Sequence, residues 1–361
     1  MTDGQPLSSS SEQVEMVDLF AGPGGLDVAS HWLGLSTVGI EWDADACTTR
    51  EAAGLRTKQG DVRSSKPLDY PDARILAGGP PCQTYTVAGR GEGRKALDQV
   101  LSFVDDVACG KDPDFSQVKD ERTGLVVEPL RWAVDAADRG VPYEAIVLEQ
   151  VPAVLPVWKA FGQVLEARGY GVAHGILHTE EFGVPQTRRR AILVARLGTD
   201  AELPRPTHRR YRKGQSRKEG DRRLRQWRTM REALGWPAGF TVVSNYGTGG
   251  DPKLRGERTW NEPSFTVTGK ISRNRLRDRP VGKPDRFTDH EAGRLQTFPR
   301  DYPWSGRAIA QQVGNAIPPR LAAHVLAAAL GKELDVKLLD RCVRKSWQDT
   351  RYGVEGLLKE V

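Results

Sequence analysis

Cys82 is the residue best placed to do chemistry in this sequence. It follows a short apolar run, residues 74–77, that Gly78-Gly79-Pro80-Pro81 stops abruptly, so it is expected on a loop at the carboxyl end of a buried strand. In an open α/β sheet that rim is where ligands and reacting groups gather. A second apolar run, residues 144–149, ends in Glu149 and puts an acid on the same rim. A thiolate there can add to a carbon, and a carboxylic acid beside it can stabilise the charge that the addition creates. An isolated free cysteine is more often a small buried apolar residue, so the case for Cys82 rests on what surrounds it.

The surrounding elements suggest a pocket for a second reactant. Residues 14–20 read as a strand, and Ala21-Gly22-Pro23-Gly24-Gly25 as a tight turn opening a helix that runs to about His31. Glycines in such a turn let the backbone approach a ligand and leave amides free at a helix N-terminus. The next strand, 36–40, ends at Glu41, nineteen residues beyond Gly22, where an acid can accept hydrogen bonds from ribose hydroxyls. Gly22-x-Gly24 lacks the third glycine of the dinucleotide fingerprint, which favours an adenosyl ligand without pyrophosphate over a nicotinamide or flavin. Asp61, after the next short segment, either reaches the adenine amino group or serves as a turn residue. Residues 89–95, rich in glycine and charge, have the composition of a mobile lid.

Helices over 125–139 and 153–168 and strands over 171–178 and 191–195 continue the alternation, giving an α/β, Rossmann-like sheet. From about residue 203 the alternation stops. Residues up to 287 are rich in Arg, Gly and Pro with Trp227, Trp236, Tyr246 and Trp260 interspersed, as in a smaller, mainly irregular and β domain. Between Arg205 and Arg231 stand twelve Lys or Arg against two acids, while the whole chain carries a net charge of only +6. That concentration favours a polyanion partner. Arg273, Arg275, Arg277 and Arg279 occupy alternate positions and, if extended, share one face that lines a phosphate backbone, reaches base edges, or is a solvated edge strand. Thr288-Asp289-His290-Glu291 resembles a capping box, residues 311–315 a tight loop, and 317–330 a helix. The expected organisation is therefore a first catalytic part (1–200), an insertion (201–287) and a return segment completing the catalytic domain (288–332). An amphipathic extension follows (333–361), to which the sequence assigns no role.

The four cysteines are widely spaced with no Cys-x-x-Cys pair, so neither disulfides nor a metal site is expected. No apolar run is long enough to span a bilayer, and the serine-rich N-terminus has no apolar core, so the expectation is a cytoplasmic protein without membrane contact. Nothing in the pattern requires a dimer, and a monomer is expected.

A cytosine substrate would use all of these features at once. A thiolate adding to C6 turns C5 into an enamine carbon able to attack a methyl electrophile, an acid at N3 stabilises the adduct, and an adenosyl pocket holds the donor. A base stacked in a duplex exposes neither face of C6, so it must be flipped out, and a basic domain that grips the duplex becomes a requirement.

Asp18-Leu19-Phe20-Ala21-Gly22-Pro23-Gly24-Gly25, Pro80-Pro81-Cys82-Gln83, Glu149-Gln150-Val151, Gln186-x-Arg188-x-Arg190, Arg294-Leu295-Gln296-x-Phe298-Pro299 and Gln312-x-Gly314-Asn315-x-Ile317-Pro318 resemble, in order, the motifs of the C5-cytosine DNA methyltransferases. The resemblance implies a Rossmann-like S-adenosylmethionine-dependent fold, duplex DNA as partner and target recognition in the insertion. It implies Cys82 as nucleophile, Glu149 as the N3 partner, and Arg188 and Arg190 near the flipped base or its phosphates. Phe20, Gly22, Gly24, Gly25, Glu41, Asp61, Pro80 and Asn315 then surround the donor, and Gln83, Gln186, Arg273, Arg275 and Arg277 face DNA. Two departures stand out: Gln150 where the family usually has Asn to brace the cysteine loop, and Thr86 where Ser is commoner. The alternatives are a tRNA cytosine-5 methyltransferase with the same motifs, or a catalytically silent DNA-binding subunit.

Overall fold

The computed structural model describes residues 13–81, 90–118, 120–244 and 256–360. Cys82, Gln83, Thr86 and Tyr246 lie outside the described residues.

Seven strands form one sheet: β1 (Met16–Leu19), β2 (Thr37–Glu41), β3 (Thr57–Gln59), β4 (Ile75–Gly78), β5 (Ala145–Gln150), β6 (Tyr170–His178) and β7 (Arg189–Leu197). Their order is β3-β2-β1-β4-β5-β7-β6. The first five are parallel, and β7 runs antiparallel to both β5 and β6. The chain leaves β1 toward β2 on one side and returns to β4 on the other. Such a reversal of strand order opens a crevice at the carboxyl ends, between the loops after β1 and β4.

Helices cover both faces, as the uninterrupted burial of the central strands requires. On one face lie α1 (Gly25–Trp32) and α9 (Pro319–Ala329), where Trp32, Leu321 and Leu326 pack into the larger core. On the other lie α3 (Arg90–Ala108), α4 (Glu128–Asp138) and α5 (Leu155–Glu166), burying Val100, Val104, Trp132, Trp158 and Phe161. Beyond the end of β2, α2 (Ala44–Ala52) is capped by Asp43, whose side chain accepts from the Asp45 amide. Of the lid expected over 89–95, residues 90–95 are helical, since α3 begins at Arg90. Leu97, Val100, Val104 and Val107 recur at helical spacing and pack in the core, and that apolar stripe carries the helix back into a stretch whose own composition reads as coil.

The insertion holds α6 (Met230–Leu234) and a three-stranded antiparallel sheet of β8 (Thr241–Val243), β9 (Glu257–Thr259) and β10 (Arg275–Arg277), β8 central. The expected row of four arginines is shorter than its alternation suggests. Arg275 and Arg277 share the exposed face around buried Leu276, but Arg273 ends a 3-10 turn and Asp278, at φ +54°, leaves the extended region. Arg275 pairs with Asp285 and Arg277 with Glu257.

The Thr288–Glu291 capping box forms as expected and starts α7 (Asp289–Leu295). Residues 311–315, expected as a loop, close α8 (Ile309–Asn315). Buried Gln312 and Val313 anchor that turn, and Gln312 Nε2 donates to the carbonyls of Asp45 and Ser305 at 3.0 and 2.8 Å.

The extension is part of the core. β11 (Glu333–Leu334) pairs with β12 (Leu358–Lys359) around α10 (Val336–Cys342). Trp347 is buried with its Nε1 donating to Ala53 O at 2.9 Å, and Trp32 Nε1 donates to Thr350 Oγ1 at 3.2 Å. No helix among the described residues is long and apolar enough to cross a membrane.

Candidate active site

The loop after β1 is built to stand close to a ligand. Phe20 sits at φ +60°, Gly22 at +53° and Gly24 at +100°, conformations that glycine adopts freely and that cost Phe20 strain. A methyl group on Gly25 would lie 2.3 Å from Ile317 O, so α1 and the return segment touch backbone to backbone at the glycine motif. On the outward side of Gly22, by contrast, nothing lies within 4 Å. Tyr302 Oη donates to Pro23 O at 2.5 Å and fixes the loop from below.

Glu41, at the tip of β2, points back to this loop. Its Oε2 accepts from Gly22 N and its Oε1 from Asp43 N, both at 2.7 Å. Burial raises its pKa, with these two amide bonds acting in the opposite direction. The carboxylate is thus fixed, with lone pairs left over for ribose hydroxyls. Asp61 lies beside it, since Gly60 N donates to Glu41 O at 2.9 Å. The Asp61 carboxylate caps the turn at Val62–Ser64 and pairs with Arg63, which holds its pKa down. It is therefore a turn residue as well as a neighbour of the pocket. Asn315 is exposed at the end of α8, with Gln311 Nε2 donating to its Oδ1 at 2.9 Å.

Beneath the loop lies a buried charge cluster that the sequence did not announce. Arg50 donates to both carboxylate oxygens of Asp27 at 2.7 Å, with the two side chains 0% and 1% exposed. Asp18 is buried beside them, and burial, followed by the Asp27 charge, pushes its carboxyl well above the usual range. Asp27 and Arg50 form the ion pair, and Asp18 is the member whose charged form burial disfavours. Asp27→Asn would leave the guanidinium buried without its partner. We expect it to destabilise the fold by about 3–5 kcal/mol and to weaken S-adenosylmethionine binding, whereas Asp18→Asn leaves both nearly unchanged. Calorimetric melting and ligand titration of the two variants check this; equal losses would mean that Asp18 carries charge.

Glu149 sits at the end of β5, 6% exposed. Its Oε1 is 2.5 Å from Arg190 Nε on the neighbouring β7. A Cβ placed on Gly79 would be 3.7 Å from its Oε2, so the acid faces the root of the Cys82 loop. The next residue holds that root: Gln150 Nε2 donates to Pro80 O at 2.6 Å, while Val151 N donates to its Oε1. Gln150 thus reaches the cysteine loop despite its extra methylene. Removing the amide should let the thiol drift from its attack position. Gln150→Ala is expected to lower kcat by about ten- to a hundredfold with donor affinity unchanged, and Gln150→Asn, which keeps an amide, to retain more activity. Single-turnover methylation with parallel donor titration reads both, and wild-type kcat in Gln150→Ala would remove the brace from the argument.

The other two motif residues do a different job from the one expected. Arg188 is 1% exposed and donates to Val267 O at 2.8 Å, Gly314 O at 3.0 Å and Ala316 O at 3.3 Å. It grips the carbonyls on either side of Asn315, ties them to the insertion, and does not face the crevice. Gln186 is 0% exposed, donates to Leu295 O at 3.2 Å and to Gln296 Oε1, and accepts from Val267 N at 2.9 Å. It has no free edge for DNA and positions the insertion instead. Among the described residues no group of three or more His, Cys, Asp or Glu side chains is arranged to hold a metal.

The sequence pattern of the C-5 cytosine-specific DNA methylases matches residues 14–106 and 119–331. The chain belongs to this family. Relatives include the type II methyltransferase M.NgoFVII of Neisseria gonorrhoeae, 29% identical over 87% of this chain and 86% of that protein. M.MthTI of Methanothermobacter thermautotrophicus is 25% identical over 89% of this chain and 98% of its own length. The crystal structure of the S. pombe Dnmt2 methyltransferase superposes with a TM-score of 0.59 at 17% identity, covering 88% of this chain and 98% of that one, a likeness of fold. The protein is a DNA cytosine-5 methyltransferase that uses S-adenosylmethionine.

Within the methylase the sequence reading overlooked Trp42. It follows Glu41 directly and is 71% exposed, a flat apolar face left in solvent where burial would normally claim it. The signal was available: an aromatic residue immediately after the acid that ends β2.

Proposed function

We propose that this methylase acts on a specific sequence in duplex DNA as the modifying member of a restriction–modification pair, with Cys82 and Glu149 as its reacting groups. The Glu149–Arg190 pair facing the root of the Cys82 loop carries this reading, because it brings an acid and a cation to the side of the crevice where the nucleophile must emerge. In the proposed reaction Cys82 loses its proton and its sulfur bonds to C6 of a flipped-out cytosine while Glu149 delivers a proton to N3. Arg190 holds the Glu149 carboxyl in place. S-adenosylmethionine, when bound, supplies a methyl group on a sulfonium; C5 forms the new carbon–carbon bond as the methyl–sulfur bond breaks. A solvent base then takes the C5 proton, the C6–sulfur bond breaks with the electron pair leaving on the Cys82 thiolate, and N3 returns its proton to Glu149, which restores the aromatic ring and the free enzyme.

On the donor side Gly22, Gly24 and Gly25 give the close approach, Glu41 takes the ribose, Trp42 stacks on the adenine, and Phe20, Asp61, Pro80 and Asn315 line the remainder. The insertion recognises the target. Its basic run presents Arg210, Arg212, Lys213, Lys218 and Arg222 to solvent, suited to phosphates. Transfer of labelled methyl from S-adenosylmethionine to unmethylated duplex DNA, and in parallel to bulk tRNA, tests the substrate. Label at C5 of DNA cytosine supports the reading, and label on tRNA alone would move the reaction to RNA.

A further inference from the structure

The methylase pattern ends at residue 331, so it gives the extension over 333–361 no task. We propose that this extension is a brace that fixes the arginine-rich insertion against the catalytic core, with Asp340 of α10 as its point of attachment, and that it thereby sets affinity for duplex DNA. Three guanidinium groups from two distant segments converge on this one carboxylate. Arg225 and Arg228, from the insertion's basic run, donate to Asp340 Oδ2 at 2.9 and 2.8 Å. Arg320, buried on α9, stands 2.7 Å from Asp340 Oδ1. Arg320 Nε also donates to Phe182 O at 2.5 Å, in the turn that leads to Gln186, Arg188 and Arg190. Asp340 therefore joins the base of the insertion to the segment that carries the Glu149 partner.

The charge around Asp340 makes the attachment strong. Its side chain is 11% exposed. His208 and His324 face the same cluster, and burial followed by the Arg320 charge brings their pKa values down to about 2 and about 3, so both are neutral. Glu232 pairs with Arg217 at 3.1 Å and, of the three arginines on Asp340, approaches Arg228 alone, at 3.9 Å. Asp340 is thus the negative charge that all three arginines share, and its removal would bare them together. The extension has its own anchors in Trp347 and Thr350, which bond to Ala53 and Trp32 of the catalytic core, so it can hold the insertion without help from DNA.

Asp340→Ala and Asp340→Glu in the full-length protein test the brace, which rests on the insertion being the part that grips DNA. The expected result is that Asp340→Ala raises Kd and KM for duplex DNA about tenfold or more, leaves kcat at saturating DNA and affinity for S-adenosylmethionine unchanged, and is largely rescued by Asp340→Glu. Amide hydrogen exchange without DNA gives an independent reading: protection should fall across residues 205–231 and hold in β1 to β5. If Asp340→Ala loses protection throughout the sheet, Arg225→Gln/Arg228→Gln replaces it, since that pair frees the insertion and keeps the Asp340–Arg320 contact. Unchanged protection across 205–231 overturns the proposal. Tighter DNA binding in Asp340→Ala also overturns it, because Arg225 and Arg228 would then be phosphate contacts held back by the acid. Failure of the wild-type protein to bind DNA would sink the substrate reading, and the exchange experiment would still decide the brace.

Discussion

Cys82→Ser should reduce methyl transfer to duplex DNA by about a thousandfold or more, with binding of S-adenosylmethionine and of DNA intact. The sulfur does two things that an oxygen cannot do equally well here. A cysteine thiol ionises far more readily than a serine hydroxyl, and the thiolate adds more readily to a polarised carbon. The covalent adduct is the route to a nucleophilic C5, so its loss leaves the donor and the base side by side without a reaction. Trapping with DNA that carries a C5-fluorinated cytosine separates this reading from a binding defect. The wild-type protein should form a stable adduct and Cys82→Ser none. An adduct in the variant, or wild-type turnover, would send the search for the nucleophile elsewhere.

Glu149→Gln should lower kcat by about a hundred- to ten-thousandfold and leave Kd for DNA near its wild-type value. The amide keeps the size of the side chain and can donate a hydrogen bond to N3, but it has no proton to give and no charge to hold Arg190. Arg190 Nε stands 2.5 Å from Glu149 Oε1, so the ion pair is lost in the same variant. The double variant Glu149→Gln/Arg190→Gln should therefore cost little more than Glu149→Gln alone, as expected when two groups act as a unit. Full additivity would show two separate roles, and a Glu149→Gln protein with wild-type turnover would remove the acid from the mechanism.

The sheet was legible in the sequence because its signals are local. The strands β1, β2, β4 and β5 are short apolar runs, and the acids near the ends of β2 and β5 are the ones that reach the crevice, whereas β3, Thr57-Lys58-Gln59, carries no such signal. The Thr288–Glu291 cap was legible for the same reason, since its two partners stand three residues apart. Charged residues were misread where their partners are remote. The resemblance placed Arg188 near the flipped base and Gln186 on the DNA side, yet both side chains bond to backbone groups more than seventy residues away. Arg50 with Asp27, and Asp340 with three arginines, gave no signal at all: a buried ion pair is defined by its far partner, and single-residue composition carries no trace of it. The helix at Arg90 was missed for a related reason, because the apolar stripe that stabilises it lies downstream of the glycines that obscure it.

The closure of α1 by the end of the chain sets an order of assembly. The glycine loop is made first on the ribosome, but Ile317 covers Gly25, Tyr302 holds Pro23, and Thr350 and Trp347 seal Trp32 and Ala53. A nascent chain that has reached residue 200 owns every strand of the sheet and none of these covers. The contacts that cover the glycine loop and α1 are therefore completed only once residues 302–350 have been made, later in synthesis than the insertion.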